Sequence, residues 1–279
     1  MGNTRGIIAG SGEFPSFLIQ EIQKRGYRCI VAGIKGEAHG SLEDMADEFS
    51  LFDSKQIGDL IAFFHSYGVT QSFFAGKIDH RRIFQKKSFD PRLLLLMAKL
   101  KDKSPSQLIQ FFIEFLESQG IEVLDPAEMI SPLFCEEGIL GQSKPSKSIE
   151  RDVNFGWEKA RHLADLDIGQ TIVVKDGAVV SVEGMEGTDI AIERAGQMAG
   201  EGTVVVKVSR TIQDKRVDLP AVGLSTVNAM IQARAGALCI EAGRMPFFQK
   251  VESMQLADQH NIVVVARKDS NSSDKNLPD

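Results

Sequence analysis

The chain has 279 residues, 43% of them hydrophobic and 25% charged, with a formal net charge of -6. This is the make-up of a soluble globular protein long enough for two domains with their own cores. The negative balance argues against broad attraction to nucleic acid or anionic lipid. No apolar run reaches the roughly 18–20 residues that a membrane span needs. Met1-Gly2-Asn3-Thr4-Arg5 enters a strand-like run directly and reads neither as a signal peptide nor as a myristoylation site. Cys29, Cys135 and Cys239 stand far apart in apolar settings, with no CxxC or Cys/His spacing, and read as reduced core residues of a cytoplasmic protein.

Gly6-Ile7-Ile8-Ala9-Gly10 predicts a short buried strand. Gly10-Ser11-Gly12-Glu13-Phe14-Pro15 follows, with Pro15 suited to the first turn of a helix running to about Arg25. Leu18, Ile19 and Ile22 mark the buried side of that helix. Strand, glycine turn and helix start together suit a phosphate, because backbone N–H groups and the helix dipole both favour an anion. Pro15 replaces the third glycine of GxGxxG, so a plain tight turn explains the same residues. A second strand is predicted over 28–34. It lacks the terminal Asp or Glu that would hold an adenosine ribose, which counts against NAD. A helix at about 55–67 and a third strand over 71–75 lead to Gly76-Lys77. On one sheet edge Gly10, Ser11, Gly12, Gly76 and Lys77 would face a common crevice. Arg81 and Arg82 read as added charge there or as a solvated helix start, and His80 as a surface residue. Residues 91–100 predict a core helix. Residues 107–119 predict another, whose Leu108, Phe111, Phe112, Phe115 and Leu116 form a core stripe in preference to an acyl-chain lining.

Residues 135–147, rich in Gly, Ser, Pro and Lys, read as a linker. A helix over 148–166 follows, then strands over 170–175 and 178–183 around Asp176-Gly177, a strong hairpin signal. Thr188 or Asp189 is placed to cap the helix after Glu183-Gly184-Met185-Glu186-Gly187. A strand over 203–208 opens into residues 207–224, where Lys207, Arg210, Gln213, Asp214, Lys215, Arg216 and Asp218 crowd together before Pro220 and Gly223. Cations, carboxylates and an amide past a strand end suit a phosphate-and-metal site and equally a solvated loop. Two further strands, over 237–241 and 262–266, flank a helix over 250–260, and the polar tail after Lys268 predicts disorder. The expected fold is α/β. It has an N-terminal Rossmann-like parallel-sheet domain (1–134), a linker (135–147), a mixed α/β catalytic domain (148–267) and a disordered tail (268–279). The site is expected in the cleft between the domains.

The ordered motifs Gly6 to Gly12 with Pro15, Phe74-Ala75-Gly76-Lys77, Leu166-Asp167-Ile168-Gly169-Gln170, Val182-Glu183 through Glu186-Gly187-Thr188-Asp189, Gln213 with Arg216-Val217-Asp218-Leu219-Pro220, and Glu241-Ala242-Gly243 resemble one family. It is the LpxI-type UDP-2,3-diacylglucosamine pyrophosphatases of lipid A biosynthesis. The resemblance implies a cytoplasmic enzyme working at the inner membrane face, without a transmembrane segment or nucleic-acid partner. It implies hydrolysis of UDP-2,3-diacylglucosamine to 2,3-diacylglucosamine 1-phosphate (lipid X) and UMP with Mg²⁺ or another divalent cation. Asp218 inherits the essential carboxylate, whose chemistry suits binding the metal, orienting the attacking water or accepting its proton. Gly10, Ser11, Gly12, Gly76, Lys77, Gln170, Glu183, Thr188, Lys207, Gln213, Arg216 and Glu241 are the candidate substrate contacts. The alternatives are a nucleotide-dependent oxidoreductase and a non-catalytic nucleotide-lipid sensor.

Overall fold

A computed structural model describes residues 3–53, 56–77, 105–212, 214–217 and 219–269. The helix expected over 91–100, residues 80–82 and the tail from 270 lie outside the described residues. The chain forms two compact units. The first comprises Met1–Met129 with Asp214–Asp218, the second Ile130–Gln213 with Leu219–Asp279.

In the first unit the strands are β1 (Thr4–Ala9), β2 (Arg28–Ile34), β3 (Glu48–Phe52), β4 (Gln71–Ala75) and β5 (Glu122–Val123). They form one sheet in the order β3-β2-β1-β4-β5, with every pairing parallel. That order reverses direction at β1 and β4, the switch point at which doubly wound sheets open a crevice. Alternation along the strands distributes the cores. Ile7, Ala9, Cys29 and Val31 pack on Leu18, Ile19 and Ile22 of α1 (Phe14–Lys24). Ile8, Ile30 and Ala32 meet Leu60, Ile61 and Phe64 of α2 (Ile57–Ser66) on the other face. Ile113 and Leu116 of α3 (Pro105–Ser118) complete that side, with Phe111, Phe112 and Phe115 partly buried around them. Of the expected stripe, Leu116 is thus fully buried and the three phenylalanines partly so, while Ile113, which the spacing does not single out, is buried beside them. The ring of Phe112 lies 5.8 Å from that of Phe74.

A short α4 (Ala127–Ile130) ends the first half of the chain. The second unit's sheet runs β6-β11-β10-β9-β7-β8. Its strands are β6 (Gly138–Ile139), β7 (Thr171–Lys175), β8 (Ala178–Val182), β9 (Val204–Lys207), β10 (Ala237–Glu241) and β11 (Val263–Arg267). The middle three are parallel, while β7, β8 and β6 pair antiparallel to their neighbours. One face packs α6 (Thr188–Ala199), α7 (Leu224–Gln232) and α8 (Lys250–Gln259) through Ile192, Val227, Met230 and Ala257. The other packs α5 (Lys147–Asp165) through Val153, Trp157, Ala160 and Ala164. Gly156 lets that helix press close, since a Cβ there would sit 2.8 Å from a methyl of Val206. Within the segment expected as a linker, residues 138–139 form the edge strand β6. All three cysteines are buried and unbridged, and burial pushes the Cys239 thiol up to about 12.

Asp176 and Gly177 both take positive φ, 50° and 75°, as a type I′ hairpin requires. Their N–H groups donate to the buried Asp152 carboxylate of α5 at 2.9 and 2.7 Å. Asp152→Ala strands those donors and should cost about 1–3 kcal/mol, read as a lower urea midpoint with unchanged slope. An unaltered midpoint would show that water replaces the carboxylate without loss.

Candidate active site

At the ends of β1 and β4 the two glycine turns are interlocked. Gly10 N–H donates to Ala75 O at 2.8 Å, Ser11 N–H to Lys77 O at 2.8 Å and Lys77 N–H to Ser11 O at 2.9 Å. The Ser11 hydroxyl also donates to Lys77 O at 3.0 Å. Gly10 and Gly76 are glycine for this contact: a Cβ on Gly10 would lie 2.3 Å from Lys77 O, and one on Gly76 2.4 Å from Ser11 O. Gly12 differs. It holds φ of +93° with open space where a Cβ would be, next to the start of α1. No side chain caps that helix, and Gly12 and the exposed Lys77 stand beside its start. The same residues thus make a tight turn at a helix N-terminus, where the helix dipole favours an anion.

In the second unit Gln170, Glu183, Thr188 and Lys207 gather where β7 begins and β8 and β9 end. Thr171 pairs with Lys207 across β7 and β9. Gln170 N–H donates to Glu183 Oε2 at 3.2 Å, and Val208 N–H to Gln170 O at 3.0 Å. Lys207 is only 4% exposed, and its Nζ donates to the Thr188 hydroxyl at 2.7 Å. That hydroxyl donates in turn to Glu183 Oε1 at 2.8 Å. Thr188 or Asp189 is expected to cap the helix; instead both lie inside its first turn, the N-cap position falls on Gly187 at φ 86°, which has no side chain to cap with, and the Thr188 hydroxyl serves Lys207 and Glu183. Glu183 is fixed from its backbone side too: a Cβ on Gly169 would meet Glu183 O at 2.0 Å.

Glu241, at the end of β10, is 1% exposed with both oxygens occupied. Oε1 accepts from Arg161 at 2.7 Å and Arg244 at 3.3 Å, and Oε2 from Ser209 N–H at 2.8 Å. Arg216 belongs with the first unit, pairing with Asp214 at 2.8 Å and Glu117 at 3.3 Å. The Arg216 guanidinium holds the Asp214 carboxyl below its ordinary value. Val217 packs against the apolar cluster of α2 and α3. Gln213 and Asp218 lie outside the described residues. Arg161, Ser209 and Arg244 escaped the sequence reading. Only the i,i+3 spacing of Glu241 and Arg244 hinted at a pair, and nothing local links Arg161 to either.

Residues 4–133 match the LpxI N-terminal domain, and residues 136–265 match the LpxI C-terminal domain. The chain belongs to the LpxI family. It is 27% identical over 273 residues to a Caulobacter vibrioides protein named UDP-2,3-diacylglucosamine pyrophosphatase LpxI, across 93% of this chain and 96% of that one. The interlocked turns fall within the LpxI N-terminal match, and the Lys207–Thr188–Glu183 relay and Asp218 within the C-terminal one.

Two glycines of the first turn separate packing from backbone strain. Gly10→Ala must push two backbones apart and should cost about 3 kcal/mol or more, with faster amide exchange at Ser11 and Lys77. Gly12→Ala meets no atom and should cost about 1 kcal/mol from its left-handed backbone alone. Urea unfolding of both variants checks the order, and equal losses would refute the interlock.

Proposed function

We propose that this chain hydrolyses the pyrophosphate of UDP-2,3-diacylglucosamine to lipid X and UMP in lipid A biosynthesis. One observation carries the reading: both halves of the chain match the LpxI domains in order, alongside near-full-length similarity to a protein of that activity. In this reaction the oxygen of water joins one phosphorus, the P–O bond to the bridging oxygen breaks, and that oxygen leaves on the other phosphate. The protein's task is to receive a substrate already negative and to tolerate the charge that grows on the leaving phosphate.

Lys207 suits that task. A cation in a low-dielectric strand end acts more strongly than one in water, and the Thr188 hydroxyl, itself held by Glu183, fixes its direction. In this reading Gly12, the α1 start and Lys77 receive phosphate oxygens in the first unit. Gln170, Gln213 and Arg216 serve as further polar contacts. Asp218, in the Arg216-Val217-Asp218-Leu219-Pro220 motif, orients the attacking water and takes its proton.

Mg²⁺ is the cofactor we assign. Among the described residues no three His, Cys, Asp or Glu side chains are grouped to hold a metal, and Mg²⁺ requires no such group. It takes one or two carboxylates and keeps water and phosphate oxygens in its other positions. The hard oxygens of Asp218 fit that demand. When bound, the ion neutralises charge on the pyrophosphate. Among the described residues no helix is long and apolar enough to cross a membrane, and we place the enzyme in the cytoplasm, meeting its lipid substrate peripherally at the inner membrane surface.

The test incubates purified protein with UDP-2,3-diacylglucosamine and Mg²⁺ and follows UMP by chromatography. UMP and lipid X should form in equal amounts, stop on chelation and resume on adding Mg²⁺. Asp218→Ala should slow release by about 10²–10⁴-fold. A wild-type protein that releases no UMP sinks the reading. A fully active Asp218→Ala variant removes that carboxylate from its centre.

A further inference from the structure

Residues 209–211 lie outside any helix or strand, yet charged side chains hold five of their backbone groups. Ser209 N–H donates to Glu241 at 2.8 Å and Thr211 N–H to Asp165 at 2.7 Å. The carbonyl of Ser209 accepts from Arg161, that of Arg210 from Arg244 at 2.7 Å, and that of Thr211 from Arg244 at 3.2 Å. The Thr211 hydroxyl adds a second bond to Asp165 at 2.8 Å, and the Arg210 side chain pairs with Asp167. Glu241 stands beneath this set, joining Arg161 and Arg244 on one oxygen and Ser209 on the other.

Such fastening is poorly explained by stability. Burying a carboxylate among guanidinium groups costs desolvation that the pairing roughly offsets, and an apolar replacement is often no worse. What charge-assisted, partly bidentate bonds do supply is a single backbone path. That path leaves the end of β9, where Lys207 sits.

We infer that the buried Glu241 and its partners Arg244 and Arg161 form a clamp that positions the strand-end segment 209–211 beside Lys207, and that Glu241 touches no substrate. The inference rests on the proposed hydrolysis for the importance of the loop, but not for the clamp itself. Glu241 is 1% exposed, and both its oxygens are turned to Arg161, Arg244 and the Ser209 N–H, away from any ligand in solution. Arg244 carries the sharpest test, because it is the less buried guanidinium, 31% exposed against 12% for Arg161, and spans two carbonyls.

The experiment compares wild type, Arg244→Ala and Arg244→Lys by kcat and KM for UDP-2,3-diacylglucosamine, and by amide hydrogen exchange of the peptide covering 208–213. Arg244→Ala should lower kcat about ten-fold or more, with KM changed by less than about three-fold, and should raise exchange in that peptide while leaving the β9–β11 core protected. Arg244→Lys keeps the charge but cannot span both carbonyls, so it should restore part of kcat and part of the protection. Unchanged exchange overturns the clamp. So does a rise in KM with kcat intact, which would make Arg244 a substrate contact. If the wild type releases no UMP, the hydrolysis reading fails while the exchange measurement still decides the clamp.

Discussion

An ammonium group removed from water must be answered by its surroundings, and at the end of β9 that demand shapes the second unit. Lys207 is nearly inaccessible, with the Thr188 hydroxyl against its Nζ and the Glu183 carboxylate one bond further on. To bring those partners in, β8 must end where β9 ends, so β7 and β8 form an antiparallel hairpin on the flank of a parallel core. Gly169 must lack a side chain so that the strand before β7 can lie against Glu183. Folding alone would not favour any of these choices over an apolar strand end.

Two kinds of preorganisation meet in this chain. In the first unit it is backbone on backbone: the turns after β1 and β4 fix each other with paired N–H and carbonyl groups, with open space left beside Gly12. In the second it is side chain on backbone, through Glu241 and its arginines. The first device tolerates little change in residue size. The second depends on charge and reach, so it would be indifferent to neighbouring apolar substitutions.

Much of this was legible in order along the chain. Buried strands announced themselves as short apolar runs, and Asp176-Gly177 identified its hairpin because few residue pairs accept two positive φ angles. Strand β3 did not. Its residues Glu48–Phe52 alternate poorly, and Leu51 remains 46% exposed at the sheet edge, so no period stood out. The glycines after β1 and β4 suit a ligand contact or a plain tight turn, and what the sequence alone does not show is that Gly10 and Gly76 make room for each other's backbone. Glu241 stood out as a motif residue but its partners did not, since Arg161 lies 80 residues away. The grouping of Asp214–Asp218 with the first unit was likewise illegible, because Arg216 meets Glu117 across 99 residues. Asp218 itself was singled out by family resemblance and not by any local rule.

The interlock at Gly10 and Gly76 also bears on how the chain finds its fold. Strand β4 must align with β1 across an intervening β2 and β3, with Ala75 opposite Ala9. Apolar strands such as Ile7-Ile8 and Phe73-Phe74 would accept a slip of two residues with little change in which face is buried. A slipped β4 would carry Gly76 away from Ser11 and set a side chain against a carbonyl. The two glycines therefore act as a register lock for a long-range pairing, rejecting near-miss alignments that hydrophobic burial alone would admit.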